Sequence, residues 1–160
     1  MSRTKLILLG TGTPNAEPWA SGPAVAVTVD DKAYLVDFGA GVVRQCTKAF
    51  SMGIEQLNPR NLTVAFCTHL HSDHTTGLAD LIFTPWVLTR NEPLKIYGPK
   101  GMKHMVDCIS DAYKVDVDFR LHGDEQGNEN GYKTDVTEIY NGYVYKDELV
   151  TVEAFTALHG

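Results

Sequence analysis

Three imidazoles and one carboxylate lie within six consecutive residues in the run His69-Leu70-His71-Ser72-Asp73-His74. On an extended segment His69 and His71 point to the same side, so both can hold one metal ion. A turn after them aims Asp73 and His74 at a second ion, and one loop thereby half-builds two sites. Zinc suits this mixture of imidazole nitrogen and carboxylate oxygen, and iron or manganese accept similar ligands. The chemistry that paired ions bring is activation of water for hydrolysis. The other histidines lack such company. His104 falls on the polar flank of an expected helix and His122 opens a polar loop, so both read as surface residues.

A buried strand must deliver the cluster. Leu62, Val64 and Phe66 alternate with Thr63, Ala65 and Cys67 and run straight into Thr68-His69. Upstream, Lys5 to Leu9 reads as a strand that stops at Gly10-Thr11-Gly12-Thr13-Pro14. That loop lacks the Gly-Lys-Ser/Thr ending of a phosphate-binding loop and the third glycine of a dinucleotide fingerprint. Ala24 to Val29 and Ala33 to Asp37 flank Asp30-Asp31-Lys32 as a hairpin. Val42, Val43, Cys46, Ala49 and Phe50 then share a helical face that stops near Gly53. Downstream, Leu78, Leu81 and Ile82 predict a short helix before Pro85, and Leu94 to Tyr97 a strand ending at Gly98-Pro99. Met102, Met105, Val106, Ile109 and Tyr113 stripe a third helix as core packing. His122 to Lys133 is polar and rich in Gly and Asn, hence a loop. β-like segments follow at Thr134 to Tyr140, Tyr143 to Tyr145 and Leu149 to Leu158, with Asn141-Gly142 as a two-residue hairpin turn.

The chain has 160 residues, 14 Lys plus Arg against 20 Asp plus Glu, and a formal charge of −6. One globular domain of this length buries roughly 70% of its extended surface. No apolar run approaches the roughly 20 residues of a spanning helix, and the opening residues do not form a signal peptide. Cys46, Cys67 and Cys108 lack paired CxxC spacing and read as reduced core cysteines of a cytoplasmic protein. The acidic balance disfavours a nucleic-acid surface and leaves a small anionic ester as the favoured substrate, with the metal supplying local positive charge.

The segment Thr68 to His74, THLHSDH, resembles the signature of metallo-β-lactamase-fold hydrolases. LLGTGTP from Leu8 to Pro14, VDFGAG from Val36 to Gly41 and IYGPKG from Ile96 to Gly101 are similar, in order, to the ribonuclease Z, arylsulfatase and cyclic-nucleotide phosphodiesterase branch. His74, directly after the aspartate, favours the phosphodiesterase, lactonase and glyoxalase II side over true β-lactamases.

The resemblance implies an α+β fold, an αββα sandwich with the metals at one edge between the sheets. It implies that His69 and His71 bind the first metal and Asp73 and His74 the second. His159, after the alternating Val150, Val152 and Ala154, looks like the third ligand of the first metal. Asp37 would orient a ligand histidine, and Asp73 would also help hold the attacking water. Relatives supply a bridging aspartate and a last histidine further along, so residues 1–160 resemble the N-terminal half plus the first strands of the second. A homodimer covering the exposed half-fold is then expected. The leading activity is metal-dependent hydrolysis of a phosphodiester or sulfate ester by a metal-activated hydroxide. The alternatives are tRNA 3′ processing, a lactonase or β-lactamase-like hydrolase, and a catalytically inactive metal-binding fragment.

Overall fold

The structure, a computed structural model, describes residues 4–159; Met1 to Arg3 and the final glycine of the ending AFTALHG lie outside the described residues. Strands β1 (Thr4–Gly10), β2 (Ala24–Val29) and β3 (Lys32–Val36) form an antiparallel meander. Beyond it β4 (Val64–Phe66), β5 (Leu94–Gly98) and β6 (Thr134–Glu138) add in parallel, and the six strands stand in chain order. Parallel neighbours need long crossovers. These carry α1 (Val42–Ser51), then α2 (Ser72–Thr75) and α3 (Leu78–Val87), then α4 (Met102–Ala112) and α5 (Lys114–His122). Crossovers of one hand along a sheet of uniform order put the helices on one face. There Leu35, Ala65, Leu94 and Ile96 meet Val42, Cys46, Leu78, Leu81, Ile82 and Met102 in the main core.

The opposite face carries Val29, Tyr34, Val64 and Phe66. It is capped by a separate two-stranded sheet of β7 (Val144–Lys146) and β8 (Thr151–Glu153). Tyr145 of β7 sets its ring edge-on to Phe66 at 5.3 Å and to Tyr97 at 5.0 Å, the arrangement that aromatic quadrupoles favour. Helix layer, main sheet and second sheet are the first three layers of the expected sandwich. Among the described residues no helix is long and apolar enough to cross a membrane.

Several local expectations are corrected. The helix expected to end before Pro85 runs through it to Val87. Proline cannot donate to the carbonyl four residues back, and the Leu81 carbonyl instead accepts from Nη1 of Arg90 at 3.0 Å. Residues 114–121, given no element from sequence, form α5 together with His122, the expected start of a loop. Val115, Val117, Phe119 and Leu121 alternate as in a strand, so the helix buries Val117 and leaves Val115 and Phe119 exposed. Asn141-Gly142 does turn the chain, with the Tyr143 amide donating to the Tyr140 carbonyl at 2.9 Å and Gly142 at φ 85°. It passes the chain from one sheet to the other, because β6 pairs with β5 and β7 with β8. Cys46 and Cys67 are buried as expected, their thiols each pushed up to about 12, chiefly by burial. Cys108 is exposed, at the helix position one turn after His104.

Candidate metal centre

Parallel pairing of β3 with β4 brings the two strand ends together, and each ends in candidate site residues. Asp37 follows β3 directly, and its amide donates to the Phe66 carbonyl of β4 at 2.8 Å. It is 7% exposed and sits at φ 62°, a left-handed conformation that aspartate tolerates better than most residues. The loop after β4 folds back over it. The Phe38 amide donates to the His74 carbonyl at 3.0 Å and the Gly77 amide to the Phe38 carbonyl at 2.9 Å. Gly39 makes this approach feasible, because a β-carbon there would stand 2.5 Å from the Asp73 carbonyl oxygen.

The Asp37 carboxylate organises two histidines. It accepts from the Thr68 amide at 2.8 Å and from the Thr68 hydroxyl at 2.9 Å. The hydroxyl oxygen lies 2.9 Å from His69 Nδ1, and with its own proton given to Asp37 it accepts the Nδ1 proton. That tautomer leaves Nε2 of His69 bare. Asp37 Oδ2 also lies 2.8 Å from His74 Nδ1, which directs His74 Nε2 toward Asp73 Oδ2, 3.5 Å away. Sequence reasoning missed Thr68; the available signal was a hydroxyl residue directly before the first histidine at a strand end.

His69 Nε2 lies 3.1 Å from His71 Nδ1 and 3.1 Å from His159 Nε2. The ligand atoms of these three residues all lie within 4.8 Å of one another. Tetrahedral zinc with bonds near 2.05 Å separates its nitrogens by about 3.3 Å, so the donor set and its spacing fit such an ion. His69 is held below its ordinary pKa, first by burial and then by His74, His159 and His71, which favours the neutral ligand form. The His74 ring adjoins, its centroid 4.1 Å from that of His69. His69, His71 and His159 thus form one group and Asp73, His74 and Asp37 a neighbouring one. His104 and His122 are exposed, away from both groups in sequence.

A model of the metallo-beta-lactamase superfamily matches residues 18–133. Ribonuclease Z of Mycobacterium marinum is 34% identical over 120 residues, 73% of this chain and 41% of that protein. Ribonuclease Z of Mycobacterium sp. (strain KMS) is 32% identical over 159 residues, 97% of this chain and 53% of that protein. The crystal structure of human tRNase Z, short form, matches with a TM-score of 0.62 and 28% identity, covering 86% of this chain and 45% of that one. The chain therefore spans about half the length of the relatives it matches. With the matched segment containing both strand ends and the histidine loop between them, the chain belongs to the metallo-beta-lactamase superfamily.

Proposed function

We propose that this chain is part of a ribonuclease Z-like phosphodiesterase that trims the 3′ end of precursor transfer RNA. The carrying observation is the convergence of His69, His71 and His159 in a chain whose curated relatives are ribonucleases Z. Residues 1–160 would be the first part of a longer domain. His69, His71 and His159 would hold the first ion, and Asp73 and His74 would contribute to a second. Asp37 orients His74 directly and His69 through Thr68. Zinc fits the donors, with iron or manganese as alternatives. When bound, such ions polarise a phosphoryl oxygen and lower the pKa of water to about 7. Asp73 would orient the attacking water. In the hydrolysis the water oxygen bonds to phosphorus, the bond to the leaving ribose oxygen breaks, and a proton ends on that oxygen.

This reading reverses the order reached from charge, which put small anionic esters ahead of nucleic acid. A total of −6 describes the whole surface and not the local field around a cluster of cations. One observation supports a small phosphodiester or sulfate ester as the second reading. Helix α4 runs into α5 through Tyr113 alone, so no basic segment is inserted between these helices to grip an RNA.

The test incubates the full chain with zinc or manganese and offers precursor tRNA with a 3′ trailer, bis(p-nitrophenyl) phosphate and p-nitrophenyl sulfate. Trailer removal that His69→Ala abolishes is the expected result. Turnover of either small ester with the precursor left intact would select the second reading. Native mass spectrometry of the same samples counts the ions. Three ligands for one ion and two for the other predict at most one tightly held ion per chain. Binding without turnover on any substrate would make the chain a metal-binding module.

A further inference from the structure

His159 lies beyond β8, in a stretch with no ladder of its own. The segment is fastened at its base: the Ala154 amide donates to the Tyr143 carbonyl at 2.8 Å and the Gly142 amide to the Ala154 carbonyl at 2.7 Å. The Thr156 amide donates to Oδ1 of Asn141 at 2.9 Å. Every one of these bonds joins the segment to the hairpin or its entry turn. None joins the hairpin to the main sheet, on which His69 and His71 depend.

That second connection is made in two ways. Tyr145, Leu149, Val150 and Val152 pack on the sheet face, and apart from the edge-on ring contacts of Tyr145 this apolar packing is non-directional. Direction comes from Asp147, in the turn between β7 and β8. Its Oδ1 accepts the amides of Leu149 and Val150, both at 2.9 Å, and so closes the turn. Its Oδ2 accepts the hydroxyls of Tyr34 at 2.7 Å and Tyr145 at 3.0 Å. Tyr34 belongs to β3, so its bond crosses from hairpin to sheet. The Lys32–Glu148 ion pair crosses beside it and is more exposed.

We propose that Tyr34 and Asp147 are positioning residues for the metal centre, the Tyr34 hydroxyl on the Asp147 carboxylate setting where His159 stands against His69 and His71. The proposal rests on the reading of His159 as a ligand. Strand β3 then aligns both parts of the centre. Asp37, at its end, orients His69 and His74, while Tyr34, three residues or about 10 Å earlier, grips the hairpin that carries His159.

Zinc affinity, measured by competition with a chromogenic chelator, tests this together with the visible spectrum of the cobalt-substituted chain. Tyr34→Phe keeps the buried ring and removes only the hydroxyl; Asp147→Ala removes the acceptor. His159→Ala should weaken zinc about 100-fold. Tyr34→Phe should weaken it about 5-fold and Asp147→Ala about 10- to 100-fold, the range of supporting residues around metal sites, with altered cobalt spectra. Tyr34→Phe added to His159→Ala should cost nothing more, because both act through one ligand. An unchanged affinity and spectrum in Tyr34→Phe, while His159→Ala still weakens zinc, would overturn the proposal. So would an equal loss from Tyr34→Phe in both backgrounds, which marks a general effect on folding. An unchanged affinity in His159→Ala would instead remove His159 from the ligand set, and the proposal with it.

Discussion

Thr68 has one hydroxyl between a carboxylate and an imidazole, and its effect is out of proportion to its size. Thr68→Val keeps the shape and the backbone bond to Asp37 but severs His69 Nδ1 from its relay. Zinc affinity should fall about 10-fold while the melting temperature barely moves, since Thr68 is exposed. Arg90 is the opposite case, a fully buried cation with no carboxylate partner among the described residues. It donates to the carbonyls of Leu62, Leu81, Ile82 and Gly131, and burial brings its pKa down to about 10, so it stays charged at neutral pH. Arg90→Met would strand these acceptors and should cost about 3 kcal/mol or more in a urea titration. A loss under 1 kcal/mol would show that water or relaxation replaces the guanidinium. The run from His69 to His74 was legible because its members are neighbours in sequence, whereas His159, 90 positions from His69, was named only through the family resemblance. Thr68 and Arg90 were not, because their partners Asp37 and Gly131 become neighbours only through folding, and arginine by type is a surface residue.

Elements were legible where one face decides the period. The stripe of α4 and the alternation leading into β4 left little choice, and both form as expected. The period gave no element over α5, whose alternation suits a strand but whose crossover between parallel β5 and β6 is helical. The β7–β8 hairpin shows a third limit: its strands were expected, but their docking depends on Asp147, a turn residue with nothing distinctive around it. Burial alone would raise the pKa of that carboxylate. The Tyr34 hydroxyl, the amides of Val150 and Leu149 and the Tyr145 hydroxyl outweigh it and hold the group below the usual carboxylate range. A folded pKa below the unfolded one gives stability that is present above about pH 4 and lost as pH falls through the lowered value. Amide exchange in the hairpin should therefore stay protected from neutral pH to about pH 4 and open below it. In Asp147→Asn the acid-dependent opening should flatten; an unchanged acid limb would remove Asp147 as its cause.

At the scale of the whole molecule the two faces of the main sheet are unequal. Helices cover one along its length, whereas the hairpin covers only part of the other, and Leu6 and Leu8 of the edge strand β1 are 69% and 65% exposed. An apolar edge of this kind invites pairing with another copy. Analytical ultracentrifugation should find concentration-dependent association that Leu6→Glu with Leu8→Lys relieves; a monomer at every concentration would contradict this. The separation of His69 from His159 also bears on how the molecule comes apart. They stand 90 positions apart in sequence, with β5, α4, α5, β6 and the hairpin between them. An ion gripped by both would act as a reversible cross-link closing that loop, comparable to a disulfide whose value grows with the length it spans. Chelation would then loosen the chain from its hairpin end first, while the six-stranded sheet, bound by its own ladder, would keep its protection until global unfolding.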